Sequence, residues 1–172
     1  MKSLRLIALI SLALCLAQTS CVVPRLIWPQ SDIARSDLNL PSSEKSVLVA
    51  SRASEFKDAV VARLRQDLAA APAYVKFIGL DDLEREDAAA YDAVVIMNTC
   101  MAWGLDPKVD GFLKRSKDRS NIVVLTTSGN GTWMPKAEGR GFDAIASASK
   151  KTDVDKIADT ILEKLRILLA HD

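Results

Sequence analysis

The sequence predicts an α/β fold: a doubly wound, five-stranded parallel sheet with helices on both faces. Short apolar runs rich in valine and isoleucine recur along the chain without polar alternation, as in strands buried on both faces. Between them lie segments whose apolar residues repeat at helical spacing. Proline, serine and glycine punctuation separates the two kinds of segment. Alternation of this kind places parallel strands side by side with helices crossing over them.

The elements follow in order. "SVLVAS" (46–51) is the first strand. From Glu55 to about Ala70, Phe56, Ala59, Val60, Leu64 and Leu68 form a helical stripe, closed by Pro72. "YVKFIGL" (74–80) is the second strand, "DDLEREDAAAY" a short helix or turn, and "DAVVIMN" (92–98) the third strand. Pro107 opens a helix to Lys117 with Val109, Phe112 and Leu113 inward. "NIVVLTT" (121–127) and "DAIASAS" (143–149) supply the fourth and fifth strands. Thr152 is the expected cap of a final helix whose stripe runs through Val154, Ile157, Ala158, Ile161, Leu162, Leu165, Leu168 and Leu169.

The N-terminus is read as an export signal. "MKSLRLIALISLALCLAQTSC" carries Lys2 and Arg5, an apolar stretch from Leu6 to Ala17, and small or polar residues up to Cys21. The apolar part is shorter than the ~20 residues of a comfortable membrane span. The segment resembles a bacterial lipoprotein signal, with Ser20 and Thr19 at the small positions before a lipidated cysteine. Gln18 departs from that pattern, so cleavage after Thr19 without lipid is the alternative, and an uncleaved anchor helix a further one. The expected organisation is a signal peptide over 1–20, a lipidated Cys21 with a tether over 21–44, and a domain over 45–172. Leu26, Ile27 and Trp28 are the tether residues expected to pack on the domain. A membrane partner through palmitate on Cys21, at the periplasmic or surface face of the cell envelope, follows from the same resemblance.

Composition excludes several function classes. Lys+Arg number 23 against 22 Asp+Glu, and no concentrated basic face is evident, so nucleic acid is not an expected partner. The one histidine, His171, stands next to the C-terminus, where it cannot serve an ordered catalytic triad. No cysteine pair stands at metal-ligand spacing, and no metal site is expected. With Cys15 lost in the signal and Cys21 lipidated, Cys100 is left without a disulfide partner.

In doubly wound sheets, ligands bind beyond the carboxyl ends of the strands where the strand order reverses. The candidate loops are "SRASEFK", "NTCMAWGLDP" and "TSGNGTWMPK". Over residues 45–170 the chain resembles a flavodoxin-like domain. "DAVVIMNTCMAWGLDPKVDGFLKR" is similar to the family pattern of an apolar strand, a Thr-Trp-Gly loop and a helix opened by proline. "VVLTTSGNGTW" resembles its fourth strand and Gly-rich loop. The resemblance implies FMN contacts at Thr99, Trp103, Gly104, Thr127, Ser128, Gly129 and Trp133, with the two tryptophans as stacking faces.

It also implies a phosphate turn after the first strand. The chain departs from the family there: Ser51, Arg52, Ala53, Ser54, Glu55 and Phe56 stand where Ser/Thr-x-Thr-Gly-Asn-Thr is expected. Ser51 matches, Arg52 could pair an anion directly, Ser54 replaces the wrapping glycine, and Glu55 adds an acid. The other reading of the turn is a helix capped by Ser54 with Glu55 in its first turn. "SEFK" (54–57) matches the Ser-x-x-Lys of serine acyl-enzymes, but "SSEK" and "SASK" match equally, as chance would produce. "DAIASAS" faintly resembles a signature for covalent FMN and departs from it at Ala146, Ser147 and Ser149.

The expectation is therefore an exported lipoprotein displaying a flavodoxin-like domain without a standard FMN phosphate site. It would serve as a binding or assembly module at the envelope, with no cofactor. The alternative is an FMN-binding electron-transfer or quinone-reductase-type protein.

Overall fold

The computed structural model describes residues 30–136 and 139–170. The signal, Cys21, the tether residues Leu26, Ile27 and Trp28, and His171 lie outside the described residues. From Ser31 onward the chain forms one compact unit. Its elements are β1 (Ser36–Leu38), β2 (Lys45–Ser51), α1 (Glu55–Leu68), β3 (Ala73–Gly79), β4 (Ala93–Thr99), α2 (Pro107–Arg115), β5 (Ile122–Thr127), β6 (Asp143–Ser147) and α3 (Val154–Ala170). Two 3-10 turns, Leu80–Arg85 and Ala88–Ala90, form the crossover between β3 and β4.

The sheet has six strands in the order β1-β3-β2-β4-β5-β6, where the sequence predicts five. Five run parallel, and with β1 set aside their order is the 2-1-3-4-5 of flavodoxin-like folds. The sixth strand, β1, pairs antiparallel with β3 along Ser36 to Leu38. It comes from the segment read as tether. Three residues with a single apolar member carry no strand period, so only the open edge of β3 makes them a strand. The short pairing also covers that edge against other chains.

Period-2 alternation divides the strand residues between two cores. Val47, Val49, Phe77, Val95, Met97, Val123 and Leu125 meet α1 and α3 through Val60, Leu64, Ile157, Ile161 and Leu165. Leu48, Ala50, Ile78, Val94, Ile96, Ile122 and Val124 meet α2 and the 3-10 crossover through Val109, Phe112, Leu80 and Leu83. Helical elements thus cover both faces, and the loops after β2 and β4 diverge to opposite sides, opening a crevice at the carboxyl end of the sheet.

Ser54 caps α1 by accepting from the Lys57 amide at 3.3 Å. Thr152, the expected cap of α3, instead lies inside a 3-10 turn (Lys151–Asp153) that leads into the helix, and its hydroxyl bonds Asp153.

Candidate functional site

The turn after β2 is filled by the chain itself. Ser31, Asp32 and Ile33 run alongside it: the Ala53 amide donates to the Ser31 carbonyl at 2.7 Å and the Ile33 amide to Ser51 at 3.4 Å. The Arg52 amide donates to Met97 at 3.2 Å. Arg52 itself is buried, and its guanidinium contacts three carboxylates: Asp32 at 2.7 Å, Asp106 at 2.9 Å and Asp81 at 3.2 Å. Burial works against its charge, but the hydrogen bonds to Asp106 and Asp81 outweigh that and hold its pKa above the ordinary value. Asp32 further accepts from the Asp81 amide at 2.9 Å, and Asp106 caps α2 through the Lys108 amide at 2.9 Å. The Ser51 hydroxyl, fully buried, donates to the Arg52 carbonyl at 2.8 Å. Ser51, Arg52 and Ser54, expected beside a phosphate, are thus each engaged within the protein. An anion arriving at this turn would meet carboxylates.

The loops after β4 and β5 enclose open space. A cleft of about 690 Å³ is lined by Cys100, Ala102, Trp103, Ser128, Gly129, Asn130, Thr132, Trp133 and Met134, within the usual size of small-molecule sites. Met101 and Gly104 exchange backbone hydrogen bonds at 3.1 and 2.9 Å. Between them, Ala102 and Trp103 both have positive φ, 49° and 58°. Two such central residues define a type I′ turn, normally built from Asn-Gly. Here the turn holds a tryptophan that is 86% exposed. Backbone strain of this kind concentrates at functional sites. Replacing the pair with the preferred chemistry, Ala102→Asn with Trp103→Gly, is expected to raise stability by about 1 kcal/mol. The urea midpoint checks it; a lower midpoint would count against strain in the turn.

The facing loop is organised by Ser128. Its hydroxyl accepts from the amides of Gly131 (3.1 Å) and Trp133 (3.4 Å), and its own amide donates to the Ser147 carbonyl at 3.0 Å. Gly131 is required where it stands: its φ is +73°, and a Cβ there would lie 2.5 Å from the Ala148 nitrogen. Gly129 has nothing within 4 Å of such a position and leaves its side of the loop open. Cys100 is half-buried; desolvation pushes its thiol pKa up, partly offset by the backbone amides of Trp103 and Gly104, so it is not a poised thiolate.

The structure therefore brings Trp103, Ser128, Gly129 and Trp133 together around one cleft, and Gly104 closes the turn that carries Trp103. Thr99 and Thr127 lie one residue beneath its lining. Sequence reasoning missed Lys57, which is buried and donates to Thr99 Oγ1 at 2.9 Å. Asn130, Thr132 and Met134, which belong to the candidate loop 127–136 but were not singled out in it, also line the cleft, and the Arg52 carboxylates were missed. Among the described residues, no group of His, Cys, Asp and Glu is placed to hold a metal ion.

The strand order and the crevice define a flavodoxin-like α/β domain. No family model matches the chain, and no curated protein matches it. Among solved structures, it is similar to an oxidoreductase from Corynebacterium diphtheriae, with a TM-score of 0.51 and 11% identity, covering 76% of this chain and 100% of that one. A flavo di-iron protein from Thermotoga maritima aligns with a TM-score of 0.48 and 16% identity, over 74% of this chain and 37% of that one. General stress protein 14 from Treponema denticola, solved with FMN, aligns with a TM-score of 0.40 and 11% identity, over 73% of this chain and 98% of that one. At these identities the likeness concerns the fold alone.

Proposed function

We propose that the domain is a binding module that holds a planar aromatic ligand in the cleft between the loops after β4 and β5. The observation that carries this reading is Trp103, raised into solvent by a strained turn at the rim of an open cleft. Trp133 and Met134 add apolar surface across from it. A flavin ring is the best chemical match, since a flat conjugated ring gains from stacking against an indole. The turn after β2 does not fit the FMN phosphate, because its groups are spent on Ser31, Met97 and three aspartates. No redox step is assigned to the domain.

The test is a titration of the full-length protein with riboflavin and FMN, followed by flavin fluorescence. Saturable quenching is expected, and Trp103→Ala is expected to weaken it about tenfold, or about 1.4 kcal/mol. No response at high micromolar flavin would remove flavin as the ligand. A second reading, a protein-assembly module, draws on the same exposed Trp103, since tryptophan is a favoured interface anchor.

We further propose that the domain is carried to the cell envelope as a lipoprotein anchored through Cys21. What supports this is the charged, apolar and small-residue succession before that cysteine. No helix among the described residues is long and apolar enough to cross a membrane. Palmitate labelling of cells is expected to be lost in Cys21→Ser; persistent labelling would refute Cys21 as the attachment site.

A further inference from the structure

Lys57 stands on the inward face of α1 and is 2% exposed. Its ammonium, which has three donors, makes one hydrogen bond, to Thr99 Oγ1 at 2.9 Å. Among the described residues it has no carboxylate partner. Buried ammonium groups are normally paired, because burial without a counter-charge is costly. The neighbours of Lys57 do not supply one: Arg52 is a second cation, Asp58 is exposed on the outer side of the same helix, and Glu55 is exposed and paired with Lys151.

The surroundings are built from hydroxyls. At its last register level the sheet aligns Thr99 with Thr127, and Thr127 with Ser147. Alternation places all three on the face that carries Met97, Leu125 and Ile145. Thr127 Oγ1 lies 3.4 Å from Thr99 Oγ1. The apolar face shared with α1 and α3 therefore ends in a row of hydroxyls with an unpaired cation beside it. The residue after β4, Cys100, and the residue after β5, Ser128, line the cleft.

We propose that Lys57, Thr99 and Thr127 form an oxyanion subsite at the inner end of the cleft, which takes the phosphate monoester or carboxylate group of the ligand. Among the described residues Lys57 lacks a counter-charge, so the ligand group that would complete the site is an anion. Lys57 supplies charge and free donors, and the hydroxyls supply orientable donors. The subsite is separate from the turn after β2, whose Ala53 amide and Arg52 side chain are occupied. Burial pulls the Lys57 pKa down to about 8, with Arg52 adding to this and Asp58 opposing it. The cation is thus present at neutral pH and lost above pH 8.

The placement at the cleft rests on the ligand reading above, and the experiment separates the two. Thermal unfolding of the full-length protein is measured with inorganic phosphate, acetate or matched chloride. Phosphate or acetate is expected to raise the Tm at pH 7, and the one with the larger shift names the chemistry. The shift should vanish at pH 9.5, be absent in Lys57→Met at both values, and survive at pH 9.5 in Lys57→Arg, which stays charged. Equal shifts in the wild type and Lys57→Met, or none in the wild type, overturn the subsite. FMN and riboflavin, which share a ring and differ in phosphate, are then compared. FMN is expected to bind about tenfold more tightly at pH 7, with the preference lost in Lys57→Met. Equal binding of the two removes the subsite and leaves the cleft. Binding of neither removes the cleft reading, and the Tm shifts alone then decide the subsite.

Discussion

Lys57→Met is expected to stabilise the protein at pH 7 by about 2 kcal/mol, an unusual direction for a buried substitution. The folded-state pKa of Lys57 is about 8 against 10.5 for the free side chain. At about 1.36 kcal/mol per unit, burial of the charge costs about 3 kcal/mol, and loss of the bond to Thr99 returns about 1 kcal/mol of that. Below pH 8 both folded and unfolded states carry the proton, so the folded state bears the full cost. Between pH 8 and 10.5 the unfolded state binds more protons than the folded one, and wild-type stability rises with pH. The advantage of methionine, a residue of similar length that packs without charge, should therefore be complete at pH 7 and gone by about pH 10.5. Urea denaturation of both proteins across this range is the check. A variant less stable at pH 7, or a gap that ignores pH, would show that Lys57 is not an uncompensated charge. Keeping a costly cation in a core is what a site maintained for a ligand looks like.

Arg52→Ala should act in the opposite sense and more strongly, destabilising the fold by about 3–5 kcal/mol. The substitution removes the guanidinium that lies 2.9 Å from the buried carboxylate of Asp106, itself 4% exposed. Asp32 and Asp81 lose the same partner, so the segment that begins at Ser31 loses a tie to β2. Lysine should recover only part of the loss, since one ammonium cannot present a planar fork to three carboxylates. Chemical denaturation of wild type, Arg52→Ala and Arg52→Lys measures the order. An alanine variant within about 1 kcal/mol of wild type would demote the cluster to a surface-like ion pair.

The parallel strands were legible because burial on both faces leaves continuous apolar runs such as "AVVIM" in β4. β1 was not: "SDL" has no pattern of its own, and its pairing is dictated by β3. The cleft was half legible, through the Trp-Gly turn and the Gly-rich loop, since local sequence sets local turns. Arg52 shows the limit. Its partners lie 20, 29 and 54 residues away, on three separate segments, and no local pattern encodes their convergence. Lys57 is the instructive case, because the signal was there. It sits at helical spacing from Val60, Val61, Leu64 and Leu68, on the stripe that α1 buries. A stripe drawn from apolar residues alone passes over it.

The strap formed by Ser31 to Ile33 also makes the segment before β2 part of the domain. It joins the fold beside Ser51 and Ala53, at the carboxyl end of β2, and so at the end of the sheet where the cleft opens. A truncation that begins at Lys45 would remove β1 and the strap together, uncover the edge of β3 and take Asp32 away from Arg52.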